Sequence, residues 1–189
     1  MKKNLGVLPA VFPMPVLMIA TYDRNGTVDV MNAAWGTICD MDKIALCIEG
    51  HKTNENIEET KAFTVALADA AHTAEADFFG IASAGKMHDK FERTGMTAAK
   101  SEIVNAPVIE EFPLTMECEL LETISTENFN GVIGKIVNVI ADEKVLDEKG
   151  HVDAAKLNAI IFDQFGRGYY SVGERVGGAW NAGKDLMKK

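Results

Sequence analysis

Short apolar runs separated by turn residues dominate the first third of the chain. The run Pro15–Thr21 and the alternating segment Thr27–Ala33 flank the turn sequence Asp23-Arg24-Asn25-Gly26. Asn-Gly between two apolar runs is a strong hairpin signal, because both residues tolerate a positive φ. The pattern therefore predicts an antiparallel hairpin, followed by a third strand at Lys43–Glu49.

The middle of the chain changes between helical and extended patterns. The predicted elements are a helix that Thr53 or Asn54 caps and that ends near Lys61, a strand at Ala62–Ala68, a helix at Ala70–Ile81 and a short helix at Met87–Thr94, which Gly95 ends. Two long β stretches, Leu114–Ile124 and Val132–Val145, follow on either side of a turn at Asn128–Gly131. Asp153 caps a last short helix, and the glycine-rich end is predicted to be loop.

Helices do not alternate regularly with strands, as they would in a parallel doubly wound sheet. Most strands are short, and neighbouring strands are joined by hairpin turns. The fold class that this order predicts is mainly β with helical insertions, arranged as a small β-barrel.

Composition and charge exclude several classes of protein. The 189 residues include 47% hydrophobic and 25% charged residues, which is typical of a globular domain rather than a disordered chain. The formal net charge of −9 repels nucleic-acid phosphates and anionic lipid, so neither a nucleic acid nor a membrane is an expected partner. Any anion bound by this chain requires a local basic pocket.

Cysteine usage and the N-terminal segment bear on location. Cys39, Cys47 and Cys118 are odd in number and form no CxxC pair, which argues against a disulfide framework or a cysteine zinc site. Prolines interrupt the apolar N-terminal segment, and no apolar stretch is long enough to cross a membrane. The expected location is the cytoplasm.

One glycine-rich segment resembles a phosphate-binding loop. Gly80–Lys86 matches the GxxxxGK pattern, but Met87 follows where serine or threonine would hold magnesium, and no strand precedes it. We therefore favour an ordinary loop over a nucleotide-triphosphatase. Within it, Ser83 and Gly85 are predicted to form a tight turn whose backbone N–H groups could face an anion.

Basic side chains follow this turn. In a helix, the spacing of Lys86, Lys90 and Arg93 would place all three on one face, as a phosphate site requires. The alternative is a solvated face paired with Asp89 and Glu92, which spacing alone favours.

Two further segments are candidates for ligand binding. His51–Asn54 ends a strand and begins a helix, whose positive N-terminus suits a phosphate, although simple capping would explain the same residues. Asn32–Thr37 combines small residues with Trp35, so a flat ligand could approach the backbone; the alternative is a tryptophan packed in the core.

Side-chain catalysis has little support in the sequence. The four histidines are scattered, and neither a GxSxG nor a GxGxxG motif occurs. His88 and Glu92 have metal-ligand spacing on a helix, but no further ligand is near in sequence. We expect no metal site, and we assign no catalytic residue.

Taken together, these segments resemble the flavin reductase-like family, which binds FMN in a split β-barrel and includes flavoredoxin. The matching stretches are PVLMIATYDRNGTVDVMNAAWGT, HKTNENIEETKAFTVAL, SAGKMHDKFERTGM, NAPVIEEFPLTMECELLE, GVIGKIVNVIADEKVLDEKGHVD and GRGYYSVGERVG. Their order and spacing make the resemblance specific. It covers about Pro15 to Gly177, so residues 1–189 are interpreted as a single domain with this core.

The resemblance implies FMN held non-covalently at a homodimer interface. It places along the isoalloxazine Asn32, Ala33, Ala34, Trp35, Gly36 and Thr37. It places around the ribityl phosphate His51, Lys52, Thr53 and Asn54, helped by Ser83, Gly85 and Lys90. Since His51 stands where relatives often have arginine, phosphate affinity is predicted to depend on pH.

Three functions follow from the resemblance. The first is an NAD(P)H-dependent flavin reductase, with nicotinamide as possible co-substrate; the second is a flavoredoxin-like electron carrier that serves a redox partner protein. The third is a flavin-binding module without redox chemistry. FMN supplies the redox chemistry in the first two, so neither requires a catalytic dyad from the chain.

Overall fold

The structure is a computed structural model that describes residues 1–188. Its described strands are β1 (Met14–Pro15), β2 (Leu17–Tyr22), β3 (Val28–Ala33), β4 (Gly36–Asp40), β5 (Lys43–Leu46), β6 (Ala62–Leu67), β7 (Ala98–Lys100), β8 (Pro107–Ile109), β9 (Leu114–Ser125), β10 (Asn130–Ala141), β11 (Ile160–Asp163) and β12 (Gly168–Ser171). The α-helices are α1 (Lys52–Thr60), α2 (Thr73–Ile81) and α3 (Ala154–Leu157), and 3₁₀ turns occur at Ala70–His72, Glu92–Thr94, Glu143–Val145 and Lys184–Lys188.

Seven of these strands form one antiparallel sheet in the order β3-β2-β6-β9-β10-β5-β4. The sheet curls on itself. Met31 and Ala33 of β3, at one end of the strand order, pack in the same apolar cluster as Ile44 and Leu46 of β5, near the other end. Smaller sheets, β1-β11-β12 and β7-β8, lie beside it. This arrangement confirms the mainly β fold class with helical insertions and the split barrel. Within residues 1–188, no helix has the length and apolar character needed to span a membrane.

Strand β2 is buried on both faces, which explains its uninterrupted apolar sequence. Leu17 and Ile19 belong to the cluster inside the barrel. Met18 and Ala20 point the other way, into a second cluster that includes Phe79 of α2. Because side chains alternate along a strand, a strand between two cores reads as continuous apolar residues.

Strand β10 bends sharply, as a closing barrel requires. A Cβ at Gly131 would lie 2.1 Å from the backbone oxygen of Leu46 on the neighbouring β5, so only glycine permits this approach. The pairing of β10 with β9 also shifts register at two places, between Ile133 and Gly134 and between Ile136 and Asn138. Such bulges increase strand twist and bend.

The hairpin and several other elements are confirmed. Gly26 has φ of +80°, and one carboxylate oxygen of Asp23 accepts hydrogen bonds from the backbone N–H groups of Asn25 and Thr27 at 2.8 and 2.9 Å. The carboxylate of Asp153 caps α3 by accepting from the N–H groups at the helix start.

Other predictions are wrong in detail. His51, rather than Thr53 or Asn54, is the N-cap of α1, and it makes no side-chain capping bond. The predicted helix at Met87–Thr94 is a series of turns with only a 3₁₀ turn near its end. The glycine-rich end also contains β12. Residues 36–40, to which the pattern assigned no element, form the edge strand β4.

Candidate functional site

A cleft of about 270 Å³ opens where the end of β3, the start of α1 and the end of α2 meet. The predicted site residues that line it are Asn32, Ala33, Ala34, Trp35, His51, Lys52, Thr53, Ser83 and Lys90. Residues that are distant in sequence therefore converge on one concave surface. The cleft also contains Asp29, Cys47 and Phe79, which the sequence analysis did not assign.

Four predicted site residues lie next to the cleft without lining it. Gly36 and Thr37 line a neighbouring apolar groove. Gly85 lines a depression that shares Lys52 with the cleft. The side-chain amide of Asn54 donates to the carbonyl of Ile48 at 3.1 Å, so it holds the loop before α1.

The start of α1 can bind an anion. His51 has extended backbone and no side-chain capping bond, and the N–H of Asn54 donates to the carbonyl of His51 at 3.0 Å. The backbone N–H groups of Lys52 and Thr53, which begin the helix, remain free to donate to a ligand. The helix dipole adds partial positive charge at this end. The Lys52 ammonium lies beside it and donates to Glu55 at 2.9 Å, a hydrogen bond that lowers the pKa of the Glu55 carboxyl. Lys52 is partly exposed, so it can turn toward a ligand.

Lys90 is buried at the base of the cleft. Its side chain is 4% exposed, and its ammonium nitrogen lies 3.0 Å from a carboxylate oxygen of Asp29. The same nitrogen donates to the carbonyl of Ala82 at 3.3 Å and lies 6.0 Å from the centre of the Phe79 ring. Lys90 thus brings positive charge to the cleft from inside the protein.

The predicted basic face after the glycine-rich turn is wrong. Because this segment is not an α-helix, Lys86 and Arg93 do not share a face with Lys90. Arg93 is exposed and pairs with Asp89 at 2.9 Å, as the solvated alternative expected. The turn itself is confirmed, since the backbone N–H groups of Lys86 and Met87 both donate to the carbonyl of Ser83 at 2.9 Å.

Asp29 is the residue that organises this region. Its second carboxylate oxygen accepts from the hydroxyl of Thr53 at 2.8 Å and lies 3.5 Å from the amide nitrogen of Asn56. That amide also donates to the hydroxyl of Thr21 at 3.1 Å. The network joins β3, α1 and Lys90. Asp29 is the one carboxylate in β3, between Val28 and Val30, and this was the sequence signal that could have revealed the network.

The rim of the cleft, residues 32–37, lies directly over the barrel core. Trp35 is 53% exposed, so the alternative of a tryptophan packed in the core is wrong. Its carbonyl accepts from the backbone N–H of Cys47 at 2.8 Å. At Gly36, a Cβ would lie 2.6 Å from a methyl carbon of Leu17 and 2.7 Å from one of Leu46, and both leucines are buried. The backbone of the rim therefore sits directly on the barrel interior.

The groups in the cleft are suited to binding a ligand. The amide of Asn32 is turned away and donates to the carbonyl of Ala76 in α2 at 2.9 Å. Among the described residues, no group of three or more His, Cys, Asp or Glu side chains could hold a metal ion. Small residues, an exposed indole, a free helix start and two lysines suit a flat molecule that carries a phosphate.

Comparison with known proteins agrees with this geometry. The family model "Flavin reductase like domain" matches residues 10–164. The fold resembles flavoredoxin of Desulfovibrio vulgaris (Miyazaki F), with a TM-score of 0.91 and 36% identity over 97% of this chain and 100% of that one. It also resembles flavoredoxin from Methanosarcina acetivorans, with a TM-score of 0.87 and 25% identity over 99% and 98% of the two chains.

A curated sequence is similar as well. The uncharacterized protein YwrF of Bacillus subtilis (strain 168) is 27% identical over 156 residues, which cover 75% of this chain and 76% of that protein.

Proposed function

The chain belongs to the flavin reductase-like domain family, and from that premise we propose that it binds FMN in the cleft and uses it to transfer reducing equivalents. The family supports a flavin-binding redox function in general. One observation carries the choice of FMN: a helix start without a side-chain cap and the partly exposed Lys52 lie in the same cleft as the exposed indole of Trp35.

Two groups of residues would hold the cofactor. The N–H groups of Lys52 and Thr53 and the ammonium of Lys52 would bind the phosphate, with the turn from Ser83 to Gly85 beside them. The rim from Asn32 to Thr37 would lie along the ring system. Lys90 would act on the phosphate from the base of the cleft while remaining paired with Asp29.

Bound FMN supplies the hydride and single-electron chemistry, and the chain supplies position and electrostatics. The small side chains of the rim admit a flat ring close to the backbone, and Trp35 offers an aromatic face. Positive charge at the start of α1 and on the partly exposed Lys52 would keep an anion in place despite the net charge of −9.

The first test is FMN binding itself. Protein freed of flavin is titrated with FMN, and quenching of flavin fluorescence is followed. We expect saturable binding to one site per chain and a yellow protein. A protein that stays colourless and takes up no FMN would overturn the proposal.

The two redox routes differ in their electron donor. In the reductase route, NADH or NADPH reduces the flavin, and purified protein with FMN oxidises nicotinamide rapidly. In the carrier route, the flavin stays bound and a redox partner protein reduces it. The 36% identity to a flavoredoxin over almost the whole chain favours the carrier, and the acidic surface suits a basic partner. Absence of nicotinamide oxidation, with slow flavin release, would select the carrier.

The exposed apolar groove beside Trp35 supports a homodimer. It has a volume of about 510 Å³ and includes Gly36, Thr37, Ile38 and Val139, of which the last two are 55% and 52% exposed. A second copy covering this groove would place the rim at the interface. Light scattering after gel filtration should show a dimer that Ile38→Glu dissociates, while Val176→Glu, also exposed, leaves it intact.

A further inference from the structure

A second cavity, of about 540 Å³, lies on the outer face of β9 and β10. Its floor is formed by Thr115 and Glu117 of β9 and by Asn138 and Ile140 of β10. Its walls come from residues 99–103, 108–110 and 112–113. None of the described residues that line this cavity also lines the flavin cleft, so the two are separate sites.

The floor holds a buried carboxylate in a fixed position. Glu117 is 2% exposed, and one of its oxygens accepts from the hydroxyl of Ser101. The other oxygen accepts from the amide of Asn138 at 2.6 Å. The hydroxyl oxygen of Ser101 in turn accepts from the backbone N–H of Val104 at 2.9 Å. The carboxylate is therefore oriented by neutral donors on two sides.

No positive side chain accompanies this carboxylate. Among the side chains of residues 1–187, no Lys, Arg or His nitrogen lies within 4.0 Å of Glu117. A buried ionised carboxylate is costly without a cation, and each of its oxygens can accept a further hydrogen bond. The floor thus has both a charge to balance and acceptor capacity to spare.

A second group on the same floor lacks a partner. Thr115 precedes Glu117 by two residues, so both side chains lie on the cavity face of β9. Thr115 is 1% exposed, and its hydroxyl oxygen is buried with no hydrogen-bond partner in the described structure. Buried hydroxyls are nearly always hydrogen-bonded in folded proteins. Independently of the carboxylate, Thr115 therefore offers the cavity a second group that can hydrogen-bond to a ligand.

The charged residues around the cavity indicate whether its ligand is a cation or an anion. Glu102 and Glu110 line it together with Asp142, which pairs with Lys144 at 2.8 Å. Lys100 is the basic residue among the lining side chains. Acidic groups in the majority, with a buried carboxylate beneath them, repel anions and concentrate cations.

The walls of the cavity indicate that the ligand also has an apolar part. Ile103, Val108, Phe112 and Ile140 present apolar surface above the polar floor. From this combination, we propose that the cavity is a second binding site, for a protonated organic amine with an apolar body. The ammonium group donates to the carboxylate of Glu117 and the hydroxyl of Thr115, and the apolar body packs against the walls.

The test compares ligands that share one carbon skeleton. The full chain, labelled with ¹⁵N and used as purified, is titrated by NMR with 2-phenylethylammonium, 3-phenylpropionate and 2-phenylethanol. We expect saturable amide shifts for the ammonium in residues 99–117 and 138–142, weaker shifts for the alcohol and none for the carboxylate. No saturable shift there, or equal binding of all three, means that the cavity holds only solvent, and the proposal fails.

Two variants test the floor directly. Glu117→Gln removes the charge at nearly constant shape and should weaken ammonium binding about tenfold or more, because hydrogen bonds to charged groups are the strong ones. Thr115→Val should weaken it about fivefold. Glu122→Gln, which removes an exposed carboxylate from the same strand, is the matched control and should change nothing.

Unchanged affinity in Glu117→Gln would overturn the proposal. The thermal unfolding midpoint of each variant shows whether it is folded. If Glu117→Gln does not fold, Thr115→Val provides the test. The proposal requires that this variant lose more affinity for 2-phenylethylammonium than for 2-phenylethanol.

Discussion

Two buried carboxylates in the same sheet have opposite surroundings. Asp29 on β3 is 4% exposed and lies 3.0 Å from the ammonium of Lys90. Glu117 on β9 is 2% exposed and is held only by the neutral side chains of Ser101 and Asn138 among its described hydrogen-bond partners. Each faces a cavity, but only the first has its counter-charge supplied by the chain.

The difference separates two uses of a buried charge. Taking a carboxylate out of water is costly, and a cation or several donors must offset that cost. Where Lys90 offsets it, Asp29 is free to join β3 to α1 through Thr53. Where no cation is present, the position is stable only with neutral donors, and the remaining acceptor capacity is open to a ligand.

The largest expected effect comes from removing the cation of the first pair. Lys90→Met leaves the Asp29 carboxylate buried without its partner, so the free energy of unfolding should fall by about 3–5 kcal/mol. Urea unfolding followed by circular dichroism measures this.

The double variant Asp29→Asn with Lys90→Met is the control, because it removes both charges and should recover much of the loss. A loss below about 1 kcal/mol in Lys90→Met, the size expected for an exposed pair, would show that this ion pair is not what stabilises the region.

The second carboxylate should tolerate neutralisation better. Glu117→Gln leaves no uncompensated charge and disturbs two hydrogen bonds from neutral donors, so the same urea experiment should show a loss of about 1–2 kcal/mol. The exposed control Glu122→Gln should stay within about 0.5 kcal/mol of the parent protein. If Glu117→Gln lowered the free energy of unfolding as much as Lys90→Met does, the contrast between the two carboxylates would be wrong.

Lys52 sharpens the comparison, since it lies in the same cleft as Lys90 but is partly exposed. Lys52→Ala should raise the dissociation constant of FMN about ten- to hundredfold through loss of a charge-assisted hydrogen bond. The free energy of unfolding should hardly change, because its pair with Glu55 is at the surface.

Lys43→Ala is the matched control for Lys52→Ala. Lys43 pairs with Asp40 in the same i,i+3 manner but lies outside the cleft. Equal FMN affinity in both variants would remove Lys52 from the phosphate site.

The last expected effect is confined to alkaline pH and concerns Cys118, the neighbour of Glu117. Burial, and then the negative charge of Glu117, raise the pKa of the Cys118 thiol from 9.0 to about 12. The folded protein therefore binds this proton more tightly than the unfolded chain does. The resulting stabilisation is complete below pH 9 and is lost as the pH rises from 9 toward 12.

Cys118→Ala removes the titrating group, so its free energy of unfolding should fall less steeply over this alkaline range than that of the parent protein. Slopes are compared rather than absolute values, because the substitution also leaves a small cavity. Parallel slopes would contradict the prediction.

Much of the fold could be predicted because local signals and burial agree. Between its two apolar strands, the Asn25-Gly26 turn sets the hairpin, and Asp153 caps α3 in the predicted way. Strand β4 was missed because it is an exposed edge, where GTICD carries neither strict alternation nor an apolar run. Glu92–Thr94 forms only a 3₁₀ turn, because Lys90 and Phe91 turn inward and interrupt the regular polar face of a helix.

The candidate site was predicted as separate segments, and the structure brings most of them together. The sequence could not predict that Lys90 is buried, since that depends on Asp29, which lies far away in the chain. Nor could it predict the cavity above Glu117, because Ser101 and Asn138 reach that carboxylate from two other parts of the fold.

The tight fit at Gly36 limits how this protein can be redesigned. A library that aims to widen or reshape the rim can vary Ala34, Ala82 and Ala84, which line the cleft directly. Position 36 cannot be varied in the same way, because any side chain added there displaces the side chains of Leu17 and Leu46 and so repacks the barrel interior. Engineering of ligand preference and engineering of stability therefore meet at this one residue.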